Sequence, residues 1–193
     1  MRRFALVLLA GCASPAPVAP PPSHPASFEW PKPDKWKGET IPFPLGFAPD
    51  LPYKGTEELR FAPGFFDATA PGYFSYAFVW WVEPGTDFTA PLLETQLRDY
   101  FVGLTREVAK GKFEPNLGRI EAHLTTSAPG RFAGTVRTID AFKTHEEVAL
   151  AVRATAATCG DRRYLLVSAS PRPSGDPMWT SLDEVTASFR CKP

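Results

Sequence analysis

The stretch Tyr73–Glu83, with the sequence YFSYAFVWWVE, constrains the fold more than any other part of the chain. Nearly every position is aromatic or β-branched, which favours a strand on a packed, pleated surface. Alternation along a strand gives two apolar faces. One face holds Phe74, Tyr76, Phe78, Trp80 and Val82, and the other holds Tyr73, Ala77, Val79 and Trp81. Because both faces must be covered, we expect this strand at the centre of a sheet with layers above and below.

A helix is predicted directly after this strand. Thr89 can cap its start and Pro91 fits its first turn. Apolar side chains then recur with helical spacing for about five turns, and Gly111 fits the position after the last turn. The predicted stripe consists of Leu93, Leu97, Tyr100, Phe101, Leu104 and Val108.

The remaining pattern is mostly that of strands. Before the core strand, Ile41–Leu45 reads as an edge strand and Glu57–Phe61 alternates, with Leu59 and Phe61 inward and Glu58 and Arg60 outward. After the helix, four strands are predicted around residues 120–125, 132–139, 148–158 and 164–170. Asp176 and Pro177 then begin a final helix with Met178, Leu182, Val185 and Phe189 as its apolar stripe.

This order predicts an α+β fold, an antiparallel β-sheet flanked by helices. The element order over Ile41–Phe189 is similar to that of PsbP-like domains, and the resemblance implies an α/β sandwich. The stretch from Glu57 to Glu83 also resembles an uncharacterised bacterial lipoprotein family, which implies no particular chemistry. No functional residue carries over from either resemblance.

The first twelve residues carry the most specific motif in the chain. A positive start, Met-Arg-Arg, precedes an apolar run and then Leu9-Ala10-Gly11-Cys12, which resembles the lipobox of bacterial lipoproteins. The resemblance implies a signal peptide over residues 1–11, a diacylglycerol thioether on Cys12 and an acylated amine. Ala13, where an aspartate would favour inner-membrane retention, resembles the outer-membrane version of the signal. We therefore expect a lipid-anchored protein of the outer membrane that faces the periplasm.

A proline-rich tether over residues 12–27 should follow the lipidated cysteine, with a single globular domain over residues 28–193. Polyproline II geometry, at about 3.1 Å per residue, would hold this domain roughly 35–40 Å from the bilayer. The formal charge is zero, so nothing in the composition favours nucleic acid as a partner. The membrane, reached through the acyl chains on Cys12, and an envelope protein are the expected partners.

Two cysteines remain after the lipobox, Cys159 before a predicted turn and Cys191 after the final helix. An even pair in an oxidising compartment predicts a disulfide. A redox pair is the alternative, but the Cys-x-x-Cys spacing is absent.

Glu121 and His123 project from one face of a predicted strand, and His145 opens the next hairpin. A hydrolase could use His123 with Glu121 as its base, although no nucleophile motif accompanies them. The spacing does not bring His145 to this pair, so we expect neither a metal site nor a cofactor.

Two further groups are candidates for a binding surface. Trp30 and Trp36 alternate with lysines in Phe28–Leu51, either as an exposed recognition arm or as rings that pack on the domain while the lysines face water. A cleft that binds an anion is a second possibility, and salt bridges at the sheet rim are the alternative. Its candidate residues are Arg119, Arg137, Arg153, Asp140 and Lys143.

The sequence predicts a non-catalytic accessory or binding module first. The alternatives are an envelope hydrolase based on His123 and Glu121, or a carrier of a small apolar ligand between sheet and helix. A cavity of about 300 Å³ or more with aromatic walls would support the carrier.

Overall fold

The structure, a computed structural model, describes residues 25–193. The predicted signal peptide, the lipidation of Cys12 and most of the tether lie outside the described residues. The two helices are α1 (Ala90–Ala109) and α2 (Pro177–Ala187), and a 3-10 turn covers Leu117–Arg119. The strands are β1 (Ser27–Glu29), β2 (Lys37–Pro42), β3 (Gly55–Phe61), β4 (Tyr76–Val82), β5 (Glu121–Ala128), β6 (Arg131–Ile139), β7 (Glu147–Cys159), β8 (Arg162–Ser170) and β9 (Arg190–Lys192).

Seven strands form one antiparallel sheet in the order β2-β3-β4-β8-β7-β6-β5. With helices on its faces, this sheet confirms the α+β class. β4 is the third strand from one edge, and all of its residues are buried. The strand covers Tyr76–Val82 rather than the whole of Tyr73–Glu83, since Tyr73 and Phe74 lie in the turn before it. The prediction that this strand needs cover on both faces is confirmed.

Helix α1 covers one face of the sheet. Its Thr89 cap accepts a hydrogen bond from the Leu92 amide, as the sequence predicts. The ring of Tyr100 stacks on Phe78 of β4 with centroids 5.7 Å apart. Gly103 lets the helix approach the connection between β2 and β3, because a Cβ there would lie 2.0 Å from the Phe47 carbonyl oxygen. The apolar stripe of α1 packs against the sheet and forms with it the larger of the two hydrophobic cores in residues 25–193.

Helix α2 and the N-terminal segment cover the opposite face. Trp179 and Leu182 of α2 pack with Ala77, Val79 and Trp81 of β4. A small sheet, in which β1 pairs with β9, lies beside them. The structure joins Cys159 to Cys191 in a disulfide, as the sequence predicts, and so connects β7 to β9.

Three local predictions need correction. β2 spans Lys37–Pro42 rather than Ile41–Leu45, because Pro44 has no amide for a ladder hydrogen bond. The two short strands β1 and β9 were not predicted, and β1 begins inside the predicted tether. Arg60 is buried rather than outward, because the N-terminal segment covers its face of β3.

Candidate functional site

An open cleft lies between the β2 edge of the sheet and helix α1. It has a volume of about 430 Å³, within the range of roughly 300–1,000 Å³ typical of ligand pockets. Ile41, Leu59 and Leu104 line it together with Tyr76 and Tyr100. Six phenylalanines line it as well: Phe47, Phe61, Phe65, Phe66, Phe74 and Phe142. Lys37, Gly38 and Glu39 complete the lining. We call this site the phenylalanine cleft.

The loop between β3 and β4 supplies the aromatic rings at one end of the cleft. Phe65 follows a turn at Gly64, whose φ of +82° favours glycine. The Phe74 amide donates to the Phe65 carbonyl oxygen at 3.0 Å and closes the loop. Phe66 is 40% exposed, which is unusual for so large an apolar side chain among the described residues. Its ring lies on the surface beside the cleft and can be covered by a ligand.

The loop between β6 and β7 supplies Phe142 from the other side. The Asp140 carboxylate fixes this loop, because it accepts hydrogen bonds from the amides of Phe142, Lys143 and Thr144 at 3.0–3.1 Å. It also accepts one from the Tyr73 hydroxyl at 2.7 Å. Burial raises the pKa of Asp140, but these hydrogen bonds outweigh burial and lower it below its ordinary value. The cleft wall is thus held in place before any ligand binds.

A buried polar group lies in the core next to the cleft. The Trp80 indole donates to Glu57 Oε1 at 3.0 Å, and Glu57 Oε2 has no hydrogen-bond partner in the described part of the chain. Burial raises the pKa of Glu57 to about 7, while the side chains of Trp80 and Tyr100 lower it by less. The hydroxyl of Tyr76, which lines the cleft, is likewise buried with no partner from residues 25–193.

A second depression, of about 400 Å³, adjoins the cleft and shares Lys37, Phe65 and Phe66 with it. Lys35 and Lys143 line it as well, and Asp67 is the one carboxylate residue in its lining. The Lys37 ammonium group lies 6.0 Å from the centroid of the Phe66 ring. We call this depression the lysine pocket.

The structure places the predicted histidine and arginine candidates elsewhere. The side chain of His123 is 72% exposed on the open face of β5, with Glu121 at 3.9 Å. Glu121 also lies 3.5 Å from Arg137, directly opposite on β6. A hydrolase would need His123 in a pocket within reach of a nucleophile, and this open position does not supply one.

The three arginines of the anion-binding cleft predicted along the hairpins form salt bridges at the rim of the sheet instead. Arg119 pairs with Glu147, and Arg153 pairs with Asp183 at 3.1 Å. The Asp140 carboxylate is occupied by the hydrogen bonds that it accepts from the amides of its own loop. Lys143 lines the lysine pocket, whose other cationic groups, Lys35 and Lys37, were not predicted as its neighbours.

The two predicted tryptophans are buried. Trp30 is 6% exposed and Trp36 is 8% exposed. Both side chains belong to the core that the N-terminal segment and α2 form against the sheet. The Trp30 indole donates to the Val185 carbonyl oxygen at 2.9 Å, and the Arg60 guanidinium lies 4.6 Å from its ring centroid. These rings therefore pack on the domain and do not form an exposed recognition arm.

The loop phenylalanines that build the cleft were not predicted from the sequence. The adjacent pair Phe65-Phe66 directly after Pro63-Gly64 was the available signal, because two large rings rarely follow a turn without a packing or binding role. Within residues 25–193, no cluster of histidine, cysteine and acidic side chains could hold a metal ion. In the same range, neither helix is long and apolar enough to cross a membrane.

The fold and the cleft together define a class of protein, an antiparallel α+β domain with an open apolar cleft. No family model and no curated protein matches the chain. Among solved structures, it is similar to LpqN of Mycobacterium tuberculosis, which is described as involved in cell envelope biogenesis. The identity is 11% and the TM-score 0.32, over 87% of this chain and 84% of that chain. At this TM-score the likeness carries no argument about function, and the PsbP-like element order stays a prediction.

Proposed function

We propose that this chain is a lipid-anchored, non-catalytic binding module of the cell envelope, and that its phenylalanine cleft holds a small apolar molecule or the apolar part of a larger one. The observation that carries the proposal is the open cleft of about 430 Å³ with six phenylalanines in its lining. The volume of the cleft lies above the lower limit of about 300 Å³ for a ligand pocket, and its position between sheet and helix supports the binding of an apolar ligand.

The burial of hydrocarbon would provide the affinity. Each buried methylene contributes about 0.8 kcal/mol, which corresponds to roughly a fourfold gain in affinity. The affinity for straight-chain alcohols should therefore rise about fourfold per added carbon until the cleft is filled, and then level off. If the affinity levels off at a given chain length, the cleft has a limited length. With nonspecific adsorption, the affinity would continue to rise with chain length.

The experiment uses the full chain with Cys12→Ala, so that its own acyl chains do not compete for the cleft. Binding of alcohols from hexanol to tetradecanol is measured by calorimetry or by displacement of a fluorescent apolar probe. Leu104→Trp, on the cleft side of α1, should fill the cleft and weaken binding at least tenfold. Leu92→Trp is the matched control, because Leu92 is 40% exposed on the same helix and lies outside the cleft. Equal binding by both tryptophan variants would refute the site, and no binding of any alcohol would refute the function.

The anchor is a separate part of the proposal and rests on Leu9-Ala10-Gly11-Cys12. Cys12→Ala should move the protein from the membrane fraction to the soluble fraction and abolish labelling by an alkyne-tagged fatty acid. Placement in the outer membrane, with the domain facing the periplasm, is tested by membrane separation and by protease access in intact cells. A labelled Cys12→Ala protein would contradict the assignment.

An envelope protein that delivers or accepts the ligand completes the proposal. Crosslinking and identification of captured proteins should recover a specific envelope protein with the anchored form but not with Cys12→Ala. Capture of the same protein by both forms would show that the anchor does not bring the two together.

A further inference from the structure

The lysine pocket stands directly beside the phenylalanine cleft, and the two share a wall. Lys37, Phe65 and Phe66 line both. A molecule whose chain occupies the cleft can therefore place its end group in the lysine pocket without leaving the surface. We propose, on the basis of the proposed function, that the ligand is an anionic amphiphile, with its apolar chain in the cleft and its carboxylate or phosphate at Lys35, Lys37 and Lys143.

The three lysines come from two distant parts of the chain. Lys35 and Lys37 flank the buried Trp36, so packing of that indole fixes the backbone between them while both ammonium groups face water. Lys143 lies on the loop that Asp140 holds by hydrogen bonds to the amides of residues 142–144. The pocket thus presents cationic groups from two rigid supports.

The charges of these lysines are not neutralised by ion pairs. Across the described residues, none of the three forms a salt bridge with a carboxylate. Asp67 is the acidic residue of the lysine pocket, and its carboxylate accepts hydrogen bonds from the amide and hydroxyl of Thr69 at 2.9 and 2.7 Å. Glu39 is the one carboxylate residue in the lining of the cleft itself. The lysines outnumber the acids, so the shared site favours an anion.

Phe66 gives the two halves of the ligand a common contact. Its exposed ring lines both the cleft and the lysine pocket, and the Lys37 ammonium group lies over that ring. A bound chain would cover the ring and so remove apolar surface from water. The anionic end would then approach the lysines at the protein surface, where salt screens the charge pairs.

The test compares four ligands with the same twelve-carbon chain on the full chain with Cys12→Ala, each below its micelle concentration at pH 7.5. They are dodecanol, dodecanoate, dodecyl phosphate and dodecyltrimethylammonium. Dodecanoate and dodecyl phosphate should bind about tenfold more tightly than dodecanol at low salt, because each exposed charge pair adds only a modest gain. That advantage should shrink in 0.5 M NaCl, while dodecanol binding should not weaken.

The matched variants remove the same number of charges at two places. Lys35→Gln, Lys37→Gln and Lys143→Gln together should reduce dodecanoate binding to the level of dodecanol and leave dodecanol itself within twofold. The control combines Lys54→Gln, Lys110→Gln and Lys112→Gln, three exposed lysines outside both pockets, and should keep most of the advantage. Equal losses in the two triple variants would show a long-range charge effect and overturn the lysine site.

The remaining outcomes separate this inference from the proposed function. If dodecanol binds as tightly as dodecanoate, or the trimethylammonium ligand binds best, the anionic assignment is wrong and the apolar cleft stands. If none of the four binds, the proposed function and this inference both fail. If inorganic phosphate alone binds as tightly as dodecyl phosphate, the lysines hold a free anion and the amphiphile assignment is wrong.

Discussion

The Glu57 carboxyl group should make the stability of this protein depend on pH, and Glu57→Gln should remove that dependence. Glu57 is fully buried on the α1 face of the sheet, where a carboxylate loses its hydration. Burial raises its pKa from an ordinary value of 4.5 to about 7. The indole of Trp80 satisfies one oxygen, and the other has no partner from residues 25–193.

The sign follows from proton uptake in the two states. Between pH 4.5 and 7 the folded protein holds a proton on Glu57 that the unfolded chain has released. The free energy of unfolding therefore falls as the pH rises through this window and levels off above it. At 1.36 kcal/mol per pKa unit, the full loss is on the order of 3 kcal/mol. Glutamine has nearly the shape of the protonated acid and does not ionise, so it should recover most of that loss at pH 8.

The measurement is urea unfolding at pH 5, 6, 7 and 8, followed by tryptophan fluorescence with the disulfide intact. The difference in unfolding free energy between Glu57→Gln and the wild type cancels the other titrating groups. This difference should be small at pH 5 and should rise by roughly 2–3 kcal/mol in favour of the variant by pH 8. Glu107→Gln, on the exposed side of α1, is the control and should give a flat difference. A flat or falling difference for Glu57→Gln would refute the raised pKa.

Three further variants test the packing on the two faces of the sheet. Gly103→Ala should lower the free energy of unfolding by at least about 1 kcal/mol, because the new Cβ would lie 2.0 Å from the Phe47 carbonyl oxygen. Alanine favours helices over glycine, so a melting temperature at or above that of the wild type would contradict this clash. Cys159→Ser with Cys191→Ser should lower the free energy of unfolding in urea by about 3–4 kcal/mol, since the bridge closes a loop with a sequence separation of 32. Two free thiols in the unfolded, unreduced wild type would show that the bridge does not form. Arg60→Met should cost roughly 2–4 kcal/mol, because it leaves buried hydrogen-bond acceptors unpaired, and an unchanged urea midpoint would argue against a structural role.

The sequence alone determined the elements whose residues repeat with a regular period. Alternation over Tyr73–Glu83 predicted a strand with two buried faces, and the stripe from Leu93 to Val108 predicted α1 with its Thr89 cap. These signals are local, since the period of the side chains follows from backbone geometry within one element. The pairing of Cys159 with Cys191 was also accessible, because only two cysteines remained after the lipobox.

Tertiary structure decided which residues meet. Phe65, Phe66 and Phe142 lie in two loops far apart in sequence, and no periodicity links one loop to another. Lys35 and Lys143 likewise converge only because the β2 edge and the β6–β7 loop reach the same end of the sheet. The same cause explains why Arg60, predicted to point outward, is buried, since the N-terminal segment covers the face of β3 that a strand pattern leaves open. Local periodicity therefore fixed the elements and their faces, whereas the packing of connections over the sheet edge created the cleft and its charged neighbour.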